Sequence, residues 1–105
     1  PIEVYGKGEQ TRDFINWEDV IGIMKAAMKP EWNNKLVDVG TGKATTMKQV
    51  AEIFAKYRKV KVDYIEPKNT VVAEWPVADT SLLKRLYPKP LITDLDKDIN
   101  KLCEN

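Results

Sequence analysis

Two turns of the form Gly-x-Gly divide the first half of the chain, at Gly6-Lys7-Gly8 and at Gly40-Thr41-Gly42. Glycine readily adopts the positive φ angles that tight reversals need, so neither segment continues a helix or a strand. A four-residue segment with three apolar residues precedes each turn, at residues 2–5 and 36–39, and helical spacing of apolar residues follows. The turns therefore predict a fold of short strands alternating with short helices.

Capping residues and apolar spacing predict four helices. Asn16 caps the first, which runs to the lysines before Pro30. Thr46 and Gln49 have capping-box spacing for the second, and its apolar stripe consists of Met47, Val50, Ala51, Phe54 and Tyr57. A third, short helix ends at Leu86 and is capped by Asp79 or Thr80. Thr93 caps the last, whose apolar residues are Ile92, Leu95, Ile99 and Leu102.

Extended segments are predicted at residues 2–5, 13–15, 36–39, 60–65 and 77–78, and residues 67–76 are predicted to be irregular. In residues 60–65, Val60, Val62 and Tyr64 alternate with charged residues, which is typical of a half-buried strand. The predicted order is β-β-α-β-α-β-β-α-α. The fold class is therefore α/β, of the α+β-like kind, with short mixed strands and about four helices.

The composition excludes several classes of chemistry. The 105 residues allow one domain, and the net charge of +1 favours neither nucleic acid nor an anionic membrane as partner. No apolar run approaches the roughly 20 residues that span a bilayer. With one cysteine, Cys103, and no histidine, we expect no intrachain disulfide, no metal site and no Ser-His-Asp catalysis. We therefore expect a cytoplasmic, metal-free protein.

Two segments have the composition of an anion site. "VGTGKATT" lacks the spacing of a phosphate-binding P-loop, which needs Gly, four residues and then Gly-Lys-Ser/Thr. We interpret it as a connector before a helix whose N-terminus attracts an anion weakly. Arg12 follows the first Gly-rich turn, and its planar guanidinium suits a phosphate or carboxylate. The alternative is a surface ion pair with Asp13 or Glu9.

Aromatic and basic residues leave alternatives open. Tyr5 and Trp75 could each stack on a nucleotide base or pack against the protein. The basic run "KYRKVK", residues 56–61, fits a solvent-facing helix end better than a nucleic-acid site. We find no catalytic constellation among these residues.

Four segments in order, "YGKGEQTRDFINWEDV", "VDVGTGKATTMKQVAEIF", "VDYIEP" and "VADTSLLKRLYPKP", resemble the C-terminal part of the NAD-dependent nucleotide-sugar epimerases and dehydratases. These are extended short-chain dehydrogenase/reductases. The resemblance implies that Arg12 contacts the diphosphate of a nucleotide sugar and that Tyr5, with Val4 beside it, lies by the base. It implies neighbouring contacts from Gln10 and Thr11.

The chain departs from the family pattern in two respects. Many members carry a second diphosphate-binding Arg, but residues 69–72 stand at that position here, with Lys68 before them. The chain also resembles the ADP-heptose epimerase branch, so the base of the nucleotide sugar is not determined, and UDP-, ADP- and GDP-sugars are all candidate ligands. The family's Gly-x-x-Gly-x-x-Gly site for NAD is absent, and the Tyr-x-x-x-Lys spacing occurs only across element junctions, at Tyr57 and Tyr64.

The resemblance implies that this chain is the substrate-binding lobe of an enzyme whose NAD site lies in a Rossmann domain of the same parent chain. It also allows a homodimer of the parent enzyme. A stand-alone or degenerate binding module with a regulatory role is the alternative, and a nucleic-acid binder built on residues 56–61 is a third. Since a lobe without its Rossmann domain exposes apolar surface, we expect limited stability or self-association.

Overall fold

The computed structural model describes residues 1–66 and 77–104. Its elements in chain order are strand β1 (Ile2–Tyr5), strand β2 (Thr11–Arg12), helix α1 (Trp17–Ala26), a 3-10 turn (Pro30–Trp32), strand β3 (Thr45–Thr46), helix α2 (Met47–Arg58), strand β4 (Val62–Ile65), helix α3 (Ser81–Leu86) and helix α4 (Leu95–Cys103). The mixed α/β class predicted from the sequence is confirmed.

The strands form two small sheets. β1 pairs with β4 in parallel, with Ile2 opposite Val62. β2 pairs with β3 in antiparallel fashion, with Arg12 opposite Thr45. Because β3 runs directly into α2, the antiparallel pair holds Arg12 beside the start of that helix.

The first turn of α2 is anchored to the segment between β1 and β2. The backbone N–H of Met47 donates to the carbonyl of Gln10 at 2.9 Å, and that of Lys48 donates to Gly8 at 2.9 Å. The N–H of Gln49 donates to the Thr46 hydroxyl at 3.1 Å, which confirms the capping box. Since these donors are satisfied within the chain, the N-terminus of α2 does not serve as the weak anion site that the sequence suggested.

The buried apolar residues of the described part fall into two groups. Ile23, Trp32 and Leu83 pack together, joining α1, the 3-10 turn and α3. Val4, Ala51 and Ile99 are the other buried apolar residues; they belong to β1, α2 and α4, and α2 contacts both other elements. α2 is therefore the element on which the sheet and the last helix meet.

The fold is thin and its core is small. The molecule measures 48 × 33 × 16 Å, with a Cα radius of gyration of 16.5 Å, whereas a compact domain of this length has a radius of about 13 Å. Several large apolar side chains are exposed, among them Trp17, Met24, Met28 and Leu36. Little apolar surface is thus removed from water.

Three predicted strands were wrong. Residues 36–39 and 77–78 form no strand, and the second strand lies at Thr11–Arg12 rather than at 13–15. A strand needs a hydrogen-bonding partner, and in the described ranges no strand pairs with residues 36–39. The predicted alternation over residues 60–65 also fails in part, because the strand begins at Val62 and both Val60 and Tyr64 are exposed in a sheet of only two strands.

Two helix boundaries also differ from prediction. α1 ends at Ala26, before the predicted stop, and Pro30 begins the 3-10 turn instead. Asp94, not Thr93, caps α4 through a side chain that accepts from the Lys97 N–H. The irregular segment 67–76, which includes Lys68 and Trp75, lies outside the described residues.

Candidate functional site

Two adjoining clefts surround the end of β2. The first has a volume of about 440 Å³ and is lined by Gln10, Arg12, Asp13, Phe14 and Met47. The second, of about 420 Å³, is lined by Ile2, Glu3, Val4, Tyr5, Gln10, Met47, Val50, Ala51 and Phe54. Both volumes are in the range of small-molecule sites, about 300–1,000 Å³. Gln10 and Met47 line both clefts and therefore lie beside each of them.

Arg12 stands at one end of this surface. It is the last residue of β2, it is half-buried, and its Nη1 donates to the carbonyl of Thr11 at 3.0 Å. The backbone pairing with Thr45, a buried residue, fixes the Cα from which the side chain extends. The protein thus positions a guanidinium at the wall of the first cleft.

Asp13, the next residue, is held by two distant segments. Its carboxylate accepts from the Thr41 N–H (2.9 Å) and hydroxyl (2.6 Å), the Gly42 N–H (2.8 Å) and the Ala78 N–H (3.2 Å). Burial by itself raises the pKa of Asp13, but these hydrogen bonds outweigh it and the pKa lies below its ordinary value. The Gly-rich loop therefore binds an anion of its own chain.

Gly40 is required by this close packing. A Cβ at Gly40 would lie 2.7 Å from Asp13 Oδ2 and 2.7 Å from the Cβ of Ala78. Only glycine therefore lets the loop approach the carboxylate. The sequence predicts only a turn at Gly40 and gives no sign of this contact.

Asp19 makes a second, similar connection. It is buried in the first turn of α1, and its carboxylate accepts from the Ile92 N–H (2.9 Å), the Thr93 N–H (2.8 Å) and the Thr93 hydroxyl (2.5 Å). The Thr93 oxygen in turn accepts from the Asn16 N–H at 2.8 Å. Residues 13–19 are thereby fixed at both ends, and Arg12 is attached to a rigid segment.

The other predicted site residues lie on the same surface with one exception. Val4 is a buried core residue whose side chain also lines the second cleft, and Tyr5 lines it with an exposed ring. Gln10 lines both clefts. Thr11 lines neither; it pairs with Thr46 in the sheet. Val4, Tyr5, Gln10 and Arg12 are therefore brought together.

Apolar residues of the predicted α2 stripe form part of the cleft walls. Met47, Val50 and Phe54 of the α2 stripe contribute to them. Phe14 lines the first cleft and also a third, of about 550 Å³, between α2 and α4. The only sequence signal for Met47, Val50 and Phe54 was helical spacing, which does not distinguish a cleft wall from a packed core.

None of residues 56–61, which include Tyr57 and the basic run, lines either cleft. The hydroxyl of Tyr57 donates to Asp96 of α4, and Lys56 Nζ lies 2.7 Å from the same carboxylate. These contacts join α2 to α4. Within residues 1–66 and 77–104, no three His, Cys, Asp or Glu side chains form a cluster that could hold a metal ion. No helix in this part of the chain is long and apolar enough to cross a membrane.

Comparison with known proteins identifies relatives in sequence and in fold. No protein-family model matches the chain. A protein of Methanocaldococcus jannaschii, provisionally named UDP-glucose 4-epimerase, is 38% identical over 50 residues, which are 48% of this chain and 16% of that protein.

Two solved structures superpose on nearly the whole chain. An NAD-dependent NDP-hexosamine 5,6-dehydratase involved in tunicamycin biosynthesis matches 97% of it with a TM-score of 0.80 and 25% identity. The UDP-N-acetylglucosamine 4-epimerase of Methanobrevibacter ruminantium, solved with UDP-N-acetylmuramic acid, matches 98% with a TM-score of 0.79 and 24% identity. The chain spans 34% and 33% of the lengths of these two proteins.

Proposed function

Because the chain has the fold of the C-terminal part of the NAD-dependent nucleotide-sugar epimerases and dehydratases, which are extended short-chain dehydrogenase/reductases, we propose that residues 1–105 are the nucleotide-sugar-binding domain of such an enzyme. The reaction itself belongs to the parent protein, in which a Rossmann domain binds NAD. This chain contributes substrate binding and no catalytic residue.

The observation that carries the proposal is that Tyr5 and Arg12 line two clefts that both border Gln10. A nucleotide sugar has an aromatic base at one end, a ribose in the middle and a diphosphate beyond it. The exposed ring of Tyr5 suits stacking on the base. The guanidinium of Arg12 suits two parallel hydrogen bonds to the diphosphate, which are charge-assisted and therefore strong.

The surroundings of Arg12 support the same role. Its backbone is fixed by the β2–β3 pair on one side and by the hydrogen bonds of Asp13 on the other. A guanidinium on a fixed backbone loses less conformational freedom when it binds a ligand than one on a mobile loop. Asp13 and Asp19 are thus positioning residues for the segment that begins at Arg12.

Apolar residues around the clefts suit the less polar parts of the ligand. Val4 and Met47 form the wall beside Tyr5, where a base would lie. Thr11 contributes through its carbonyl, which accepts from Arg12. These residues do not select among uracil, adenine and guanine, so the base is left to experiment.

Calorimetric titration of the chain with UDP-, ADP- and GDP-glucose tests the proposal, with free glucose as the control. We expect at least one nucleotide sugar to bind and glucose alone not to bind, because the base and the diphosphate provide the contacts. If none of the three binds at millimolar concentration, the chain is not a nucleotide-sugar-binding domain.

A further inference from the structure

We propose that the third cleft, between α2 and α4, is where a second copy of this chain docks, with the two α4 helices antiparallel across a twofold axis. The inference does not depend on the proposed function, because none of Tyr5, Gln10 and Arg12 lines this cleft. It gives a partner to an apolar surface for which nucleotide-sugar binding provides no role.

The first observation is the apolar surface of the cleft. Its volume is about 550 Å³, and residues 14–18, α2 and α4 supply its walls, chiefly through Phe14, Ile15, Trp17, Phe54, Leu95 and Leu102. Trp17 and Leu102 expose 68% and 66% of their surfaces. Contact between water and large apolar side chains is unfavourable, so a second protein surface that covers them is stabilised there. Trp is also enriched at the centres of protein interfaces.

The second observation is the order of charges along α4. Asp98 lies in the first turn of this helix and Lys101 in its last turn, and both side chains line the cleft. Within residues 1–66 and 77–104, neither side chain forms an ion pair. Both charges are therefore available to a partner that covers the cleft.

An antiparallel pair of α4 helices brings opposite charges together. When the pair is centred at Ile99, Asp98 of one copy lies beside Lys101 of the other, and the twofold axis repeats this contact. In the same arrangement Leu95 of one copy meets Leu102 of the other. The helix dipoles also run in opposite directions, so the positive N-terminus of each helix lies near the negative C-terminus of its partner.

The charges favour a second copy over a different protein. In a twofold interface the same patch occurs on both sides, so it must be complementary to itself. The patch on α4 meets this condition, because one helix carries an acidic residue toward one end and a basic residue toward the other. A partner with a single sign of charge would match only half of it.

Sedimentation velocity over a range of concentrations tests the inference with charge variants. Lys101→Glu and Asp98→Lys each place like charges at both contacts of the pair. In an equimolar mixture of these two proteins, a mixed pair again has opposite charges at both contacts. Lys84→Glu, which makes the same change of charge on α3 and outside the cleft, is the control. Circular dichroism of each variant before mixing shows that it is folded.

We expect the wild-type chain to form a dimer whose fraction increases with concentration. Each cleft variant should weaken dimerisation about tenfold or more, because like charges face each other. The mixture should regain the dimer, and Lys84→Glu should behave as wild type does. General apolar association would not be restored by mixing, so folded variants that stay apart in the mixture would overturn the inference. Lys101→Glu that dimerises as tightly as wild type would also overturn it, and so would a wild-type chain that remains monomeric at every concentration.

Discussion

The hydroxyl of Thr41 donates a 2.6 Å hydrogen bond to the carboxylate of Asp13, 28 residues earlier in the chain. Through this contact, and those from Gly42 and Ala78, a single side chain joins three segments that are far apart in the sequence. Asp13 is also the residue after Arg12. The group that stabilises the fold here therefore also fixes the backbone of the proposed diphosphate-binding residue.

Removal of the Asp13 carboxylate is predicted to destabilise the protein. Asp13→Ala leaves the donors of Thr41, Gly42 and Ala78 without their shared acceptor, and hydrogen bonds to a charged group are worth about 1.5–3 kcal/mol each. We expect a loss of about 2–4 kcal/mol in the free energy of unfolding, measured in urea. Asp38→Ala, which removes an exposed carboxylate near the same loop, is the control and should change stability little. Equal effects of the two substitutions would contradict this account of Asp13.

Acid should weaken the same contact. Because the pKa of Asp13 is lowered in the folded protein, its contribution to stability is complete above the unfolded value of about 4. As the pH falls below that value, Asp13 is protonated in the unfolded chain before it is protonated in the folded protein. The contribution of Asp13 to stability therefore decreases steadily and is gone once the pH is below the folded pKa. Urea midpoints at pH 7 and pH 3 should therefore differ less for Asp13→Asn than for wild type.

The comparison with Asp13→Asn is needed because the pKa values of other carboxylates are also lowered in the folded protein. The hydrogen bonds from Ser81 lower the pKa of Asp79, and those from Lys56 and Tyr57 lower the pKa of Asp96. Both groups titrate in wild type and in the variant alike. If the variant and wild type lost the same stability on acidification, Asp13 would not be the group responsible.

A methyl group at Gly40 should not be tolerated. In Gly40→Ala the new Cβ meets Asp13 and Ala78 at 2.7 Å, so the loop must move away from the carboxylate. Overpacking of this kind costs about 1–3 kcal/mol. Gly6→Ala gives a comparison of a different kind, because a Cβ there meets nothing within 4 Å and only the positive φ of 66° strains it, at a cost of about 1–2 kcal/mol. Circular dichroism melts measure both variants against wild type, and a Gly40→Ala protein as stable as wild type would refute the prediction.

The isolated chain is predicted to associate with itself. Trp17 and Met24 of α1 expose 68% and 63% of their surfaces, and Met28 and Leu36, which follow the helix, expose 84% and 93%. Exposed apolar surface favours contact with another molecule. Sedimentation velocity should show species larger than a monomer that increase with concentration, and Met24→Gln with Leu36→Gln should reduce them. A wild-type chain that stays monomeric at all concentrations would oppose the prediction.

Local features of the sequence predicted the helices well. Asn16 and Thr46 cap α1 and α2 as expected, since each cap involves donors within three residues along the chain. Spacing alone is enough to identify such contacts. The resemblance to a known family then supplied Val4, Tyr5, Gln10 and Arg12, which line the two clefts.

The errors concern contacts between distant residues. Thr93 has the chemistry of a helix cap, yet its hydroxyl donates to Asp19, 74 residues earlier, and Asp94 takes over as the cap. Asp19, in the first turn of α1, is buried, and its carboxylate accepts from the backbone N–H groups of Ile92 and Thr93. No spacing rule identifies a partner so far away in the sequence.

We propose that Arg12 binds the diphosphate of a nucleotide sugar, and calorimetry on Arg12 variants measures that contribution. Arg85→Ala, which removes one positive charge from α3, is the control for net charge. We predict that Arg12→Ala weakens binding of the tightest nucleotide sugar by about tenfold to a hundredfold, because charge-assisted hydrogen bonds are lost. Arg12→Lys should recover only part of the affinity, since an ammonium cannot form the paired contact, and Arg85→Ala should bind as wild type does. Unchanged affinity in Arg12→Ala, or an equal loss in Arg85→Ala, would contradict the claim.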